Sequence, residues 1–168
     1  MNGEEKPIHH HFKIFKPYGF VSQFKQNQKR KKPLLGELFD FPEGTMAIGR
    51  LDVKSEGLLL LTTDGKWSEF IRSQSVEKEY WVQVDGLMTE GAAEQMSVGL
   101  EINVEGTIYK TSPCRVSNLA HEPELPARPV PVRHQRHGPT SWISVVLTEG
   151  KFHQIRKMTA AVGFPTLR

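Results

Sequence analysis

GRLDVKSEGLLLLTTDG, residues 49–65, decides how the rest of the chain is read. A carboxylate, Asp52, stands between Gly49 and Gly57, with Arg50 two residues before it and an unbroken apolar run, Leu58 to Leu61, behind it. The run is too short for a membrane span and has the length of a strand opened by Gly57. Its continuity suggests burial on both faces. Asp52 is therefore expected on a turn at the edge of a rigid sheet. An aspartate in a glycine-rich turn is ordinarily a capping or salt-bridging group. A catalytic carboxylate needs in addition a cation that keeps it ionised while it is protected from bulk water.

Outward from this stretch the elements follow from period and punctuation. Phe12 to Phe15 alternates weakly and predicts a short strand that stops at Lys16-Pro17-Tyr18-Gly19, a turn. Leu34, Leu35 and Leu38 have the spacing of a short helix, and Met46 to Ile48 leads into the GRLD turn. Asp64-Gly65 turns the chain, after which Trp67, Phe70 and Ile71 give one apolar face of a helix. Glu79 to Val84 alternates as a strand with Tyr80, Val82 and Val84 on one face. Thr89 caps a helix over 90–98, and Ile102 to Tyr109 reads as a hairpin about Glu105-Gly106. Residues 121–139, rich in Pro, His and Arg, form no regular element. Trp142 to Leu147 is a strand, and a helix from Lys151 to about Val162 ends at Gly163-Phe164-Pro165.

The 168 residues suffice for one domain with a real core, and 38% hydrophobic with 24% charged residues is an ordinary soluble composition. Neither a signal peptide nor a membrane span is visible, so a cytoplasmic location without membrane attachment is the simple reading. Cys114 is the only cysteine, which rules out an internal disulfide and a cysteine-based metal site. His9-His10-His11 reads as a polar lead-in rather than a metal site, since adjacent side chains diverge. No Walker loop, dinucleotide fingerprint or HExxH pattern occurs, and no motif calls for a cofactor or a metal. Charge is uneven: the net is +6 over residues 1–36, −9 over 37–127 and +6 over 128–168. Basic ends on one side would bind a polyanion.

The pattern GRLDxxSEGLLLLTxDG resembles the catalytic motif of the pseudouridine synthases, in the branch that modifies ribosomal RNA. Further motifs extend the resemblance from Phe12 onward: Lys16 to Gly19, Lys78-Glu79-Tyr80, Glu149 to Met158 and Gly163 to Arg168. It implies an α+β fold, a mainly antiparallel mixed sheet with packed helices and a central catalytic cleft. It makes residues 12–168 the catalytic domain, preceded by a disordered basic and histidine-bearing tail over 1–11. Only 15 residues precede Lys16, so the small N-terminal RNA-binding domain of many relatives is not expected. Relatives continue past Arg168, so the final C-terminal strand is expected to be missing and the last residues to fray.

The resemblance also assigns roles. Asp52 is the nucleophile, Arg156 its salt-bridge partner, and Tyr80 the ring that packs on the target base, with a part in the final proton removal. Ile155 and Leu167 line the uracil pocket, and Arg50 is grouped with the substrate contacts. The helical period supports one of these roles independently, because Phe152, Ile155, Arg156 and Thr159 share a face and an arginine there needs an anionic partner. A phosphate-binding or snorkelling arginine is the alternative. Lys25, Lys29, Arg30, Lys31 and Lys32 are expected on the phosphate backbone, with Arg128, Arg133 and Arg136. His153 reads as an RNA contact or a structural residue.

The expected activity is isomerisation of a specific uridine to pseudouridine in large-subunit (23S) ribosomal RNA, without cofactor, by a monomer with no obligate protein partner. Two alternatives stay open. One is a catalytically inactive RNA-binding or ribosome-assembly protein; the other is the same chemistry on 16S ribosomal RNA or transfer RNA.

Overall fold

The computed structural model describes residues 7–26, 31–132 and 137–168. The chain divides into two compact units, Met1–Ser73 and Gln74–Arg168. The fold class is α+β, as expected: the strands pair antiparallel throughout, with helices between them.

The first unit is built on a sheet of order β1-β3-β2, where β1 is His11–Lys16, β2 is Met46–Ile48 and β3 is Gly57–Thr62. The register sets Phe12 opposite Leu61 and Ile14 opposite Leu59. Leu59 and Leu61 point inward with Leu35, which sits in a short 3-10 turn over Leu35–Glu37. Phe12, Ile14, Phe24, Phe41 and Ala47 pack around them. Burying each such leucine contributes about 1.5–3 kcal/mol.

The four leucines are not buried on both faces. Leu58 is 68% exposed and Leu60 half-buried, while Leu59 is 3% exposed. The strand is central, but its antiparallel sheet has one covered face, so the period of two survives inside an unbroken apolar run. The helix α1, Gly65–Arg72, is capped by Asp64, whose Oδ1 accepts from the Lys66 amide at 2.9 Å. Its expected apolar face is not a core face either. Trp67 and Phe70 are 50% and 55% exposed and meet each other edge-on at 5.8 Å. The expected disordered tail also ends sooner than residue 11. The His10 amide donates to Thr63 Oγ1, and the Thr63 amide donates to the His10 carbonyl.

The second unit carries a sheet of order β4-β8-β7, with β4 Lys78–Asp85, β7 Arg115–Asn118 and β8 Thr140–Leu147. The hairpin β5 (Glu101–Val104) and β6 (Thr107–Lys110) turns on Glu105 and Gly106, both at positive φ, the requirement of a two-residue primed turn. Thr89 caps α2, Glu90–Val98, by accepting the Ala92 amide. Val82 and Val84 of β4, Ile143, Val145 and Leu147 of β8, and Met96 of α2 form the core with Met158 of α3, Gln154–Ala161. Strand β7 has no readable period because Val116 is its one apolar residue; pairing with β8 makes it.

The end of the chain is tied down. Thr166 bridges Val84, the Leu167 amide donates to the Gln83 carbonyl at 2.7 Å, and the Gln83 amide donates to the Arg168 carbonyl at 2.9 Å. Thr159 and Thr166 share a hydroxyl hydrogen bond at 2.8 Å, which links α3 to this segment. Against the expectation of fraying, these residues satisfy the edge of β4 that β8 leaves open.

Candidate active site

Asp52 lies in a loop held from three sides within the first unit. Gly49 enters it at φ +77°, a conformation that favours glycine. Ser22 Oγ accepts the Leu51 amide and donates to the Leu51 carbonyl, both at 3.0 Å, which clamps the residue before Asp52. The Gly19 amide donates to the Val53 carbonyl at 2.8 Å, which clamps the residue after it. The Ser55 amide closes the turn on the Asp52 carbonyl at 2.9 Å. Asp52 is half-buried and Arg50 is exposed.

Lys16 is the residue that sequence reading treated only as part of a turn. Its side chain is fully buried, with Nζ donating to the carbonyls of Pro17 at 3.0 Å and Phe20 at 2.8 Å. Burial pushes its ammonium down to about 8, and the negative charges of Glu56 and Asp52 pull it partly back up. A cation therefore acts on Asp52 from within its own unit. The signal was present in the alternation: Phe12, Ile14 and Lys16 fall on one face of β1, so the lysine follows two core positions in phase.

The second unit holds the other expected residues. Tyr80 on β4 and Ile155 on α3 both pack, partly buried, against its core. Leu167 is fixed by its amide to Gln83, three residues along β4 from Tyr80. Arg156 is half-buried on α3. The start of α3 is set by Glu149, a buried carboxylate that accepts from Tyr109 Oη at 2.5 Å, the Ser112 amide at 2.9 Å and Gln154 Nε2 at 2.6 Å. Desolvation works against its charge, but these donors outweigh it and hold the carboxyl below its ordinary range. Gln154 in turn accepts the Lys151 amide, so the helix begins at Gln154 and not at Lys151 as the spacing suggests. Glu149 was quoted only as part of a motif. Its role arises from Tyr109 and Ser112, distant in sequence.

Of the expected phosphate contacts, Lys25 and Lys31 are exposed and Lys32 half-buried. Arg128 is half-buried with its Nε withdrawn from solvent. Lys29, Arg30, Arg133 and Arg136 lie outside the described residues. The three histidines diverge: His9 faces Asp64 at 3.9 Å, and His11 Nδ1 bonds Thr62 Oγ1 at 2.9 Å. An apolar hollow of about 250 Å³ in the first unit, lined by Phe12, Ile48, Leu60, Trp67 and Ile71 among others, does not include Asp52 and carries no polar constellation. Among the described residues no helix is long and apolar enough to cross a membrane.

Similarity to known proteins gives the family. The profile of the RNA pseudouridylate synthase family matches residues 10–161. A relative from Xanthomonas axonopodis, named ribosomal large subunit pseudouridine synthase E, is 41% identical over 91% of this chain and 79% of its own length. Its namesake from Vibrio vulnificus is 39% identical over 91% of this chain and 63% of its own. The ribosomal small subunit pseudouridine synthase A of Escherichia coli is 29% identical over 91% of this chain and 58% of its own. A crystal structure of a pseudouridylate synthase superposes with a TM-score of 0.71 at 26% identity, covering 95% of this chain and 60% of that one. Sequence and fold thus point the same way: this chain belongs to the RNA pseudouridylate synthase family and is a pseudouridine synthase.

Proposed function

We propose that the protein converts a specific uridine of large-subunit ribosomal RNA to pseudouridine, with Asp52 as the nucleophile. The observation that carries the reading is the rigid seating of Asp52. Its loop is clamped on both sides by Ser22 and Gly19, beside a buried ammonium, Lys16. A nucleophile that must meet one atom of a base gains from such preorganisation. The large-subunit substrate is favoured by the 41% identity to a protein named for that activity.

The target base leaves its stack, because a carboxylate cannot reach a uridine inside a helix. The Asp52 carboxylate attacks either the anomeric carbon of the ribose or C6 of uracil. The glycosidic C–N bond breaks, the uracil turns, and its C5 bonds to the anomeric carbon. The ester to Asp52 is released as that bond forms, if it was made at the anomeric carbon, or after it, if it was made at C6; the C5 proton is lost, N1 takes one up, and the carboxylate is restored. The isomerisation is redox-neutral. Tyr80, Ile155 and Leu167 hold the uracil, Arg156 pairs with Asp52 and orients it, and the exposed cations Lys25 and Lys31 meet phosphates, with Arg50 beside the nucleophile. The enzyme works as a cytoplasmic monomer.

The test is pseudouridine mapping in 23S ribosomal RNA incubated with the purified chain and with Asp52→Asn. The wild type should modify one uridine. The variant should bind RNA within a few-fold of the wild type and form no product. Product from Asp52→Asn at more than about a few per cent of the wild-type rate would sink the assignment, since loss of a covalent nucleophile removes the pathway itself.

A further inference from the structure

Phe152 and His153 stand between the β8 strand and α3, and the proposed chemistry uses neither. Phe152 is 57% exposed. Its ring lies 3.8 Å from that of His153, with an interplanar angle of 20°. Neighbouring side chains rarely face each other in this way. Here they do because the His153 backbone is left-handed, at φ 54°, a region that a residue with a Cβ adopts only under constraint. The constraint is visible: the Lys157 amide bonds the His153 carbonyl, and Gln154 is anchored on Glu149.

Cations accompany the pair. The Lys157 ammonium lies 5.3 Å from the Phe152 ring centroid, and that of Lys151 lies 4.7 Å from the Tyr109 ring. From Gly150 to Arg168 the sequence has Lys151, Arg156, Lys157 and Arg168 and no Asp or Glu. A single exposed aromatic needs no explanation. An exposed aromatic stack, held by a strained residue and bordered by ammonium groups, has the make-up of a single-strand nucleic-acid contact. A flat ring takes any base, and the cations take the phosphates.

We propose that Phe152 and His153 form a stacking platform for an unpaired, non-target base of the RNA, which takes the place of the Lys157 ammonium now lying over the Phe152 ring, with Lys151 and the displaced Lys157 meeting its flanking phosphates. The target uridine belongs to Tyr80, Ile155 and Leu167; Ile155 packs on the core, whereas Phe152 is turned outward. The platform rests on the reading of this chain as an RNA-modifying enzyme acting on ribosomal RNA, and it adds a second point at which the substrate is held.

The experiment uses the full chain and a ten-nucleotide oligouridylate carrying one central 2-aminopurine, titrated at fixed salt with fluorescence as the readout. The wild type should bind and quench the probe. Phe152→Ala should bind about tenfold more weakly or worse, with the quenching lost. Phe152→Tyr should keep both, and Phe152→Leu, which retains apolar bulk without a π face, should behave like the alanine variant. Lys157→Ala should lower the slope of log affinity against log salt by about 0.7, a change Phe152→Ala should not produce. Affinity within twofold of the wild type with undiminished quenching, in Phe152→Ala or Phe152→Leu, overturns the platform. The failure of the ribosomal RNA reading looks different. A wild type that makes no pseudouridine while Phe152→Ala still loses affinity refutes that reading and supports the platform. Normal turnover with unaltered binding in Phe152→Ala refutes the platform alone.

Discussion

Replacing Lys16 by methionine tests the link between a buried charge and the catalytic loop. The folded protein holds this ammonium at about 8, against an ordinary value of 10.5, chiefly because it is buried. Below pH 8 the folded chain therefore carries a charged group out of water, at a cost of about 3 kcal/mol relative to the unfolded chain. Between pH 8 and 10.5 the unfolded state binds more protons than the folded one, so this cost is relieved as pH rises. Taken alone, Lys16 should raise unfolding free energy by about 2–3 kcal/mol between pH 7 and pH 10. Tyrosines also titrate there, so the quantity to measure is a difference. Urea unfolding of the wild type and Lys16→Met, followed by circular dichroism at both pH values, should show the wild type gaining about 2–3 kcal/mol on the variant. The substitution removes both donors to Pro17 and Phe20, which hold the turn whose Gly19 clamps Val53. Displacing Asp52 by about 1 Å should lower kcat on the order of a hundredfold. Parallel stability profiles for the two proteins would refute the buried, charged lysine. Full turnover in a folded Lys16→Met would refute its hold on the loop.

Two other substitutions are informative. Arg156→Met should be nearly inactive and Arg156→Lys partly active, because lysine keeps the charge and loses the planar fork that grips a carboxylate; single-turnover assays that find both equally active would exclude a pairing with Asp52. Glu149→Ala should destabilise the chain by about 3 kcal/mol or more, as it strands the donors of Tyr109, Ser112 and Gln154, and thermal unfolding measures this. The folded Glu149 carboxyl titrates below its ordinary value, so its stabilisation is present above that value and is lost as pH falls through the lower, folded one. A wild type and a Glu149→Gln variant with the same acid-unfolding profile would contradict this.

Much of this protein was legible in the residues alone. The Thr89-capped helix and the Glu105-Gly106 hairpin are local: each depends on side chains and backbone preferences within a few residues of one another. The family followed from motifs of the same kind. What the tertiary structure decided concerns faces and partners. Leu58 is exposed and Leu59 buried because one side of the first sheet is covered, and four identical side chains carry no information about which side that is. Trp67 and Phe70 have the spacing of a core face and remain exposed, since spacing places residues on one side of a helix without supplying anything to pack against them. Strand β7 exists through its pairing with β8, and the last residues are held because β4 offers an open edge. Lys16 and Glu149 took their buried, hydrogen-bonded places only when the fold brought carbonyls, hydroxyls and opposite charges around them. A buried charge is defined by its surroundings, and those surroundings come from residues as far away in sequence as Glu56 is from Lys16 and Tyr109 from Glu149.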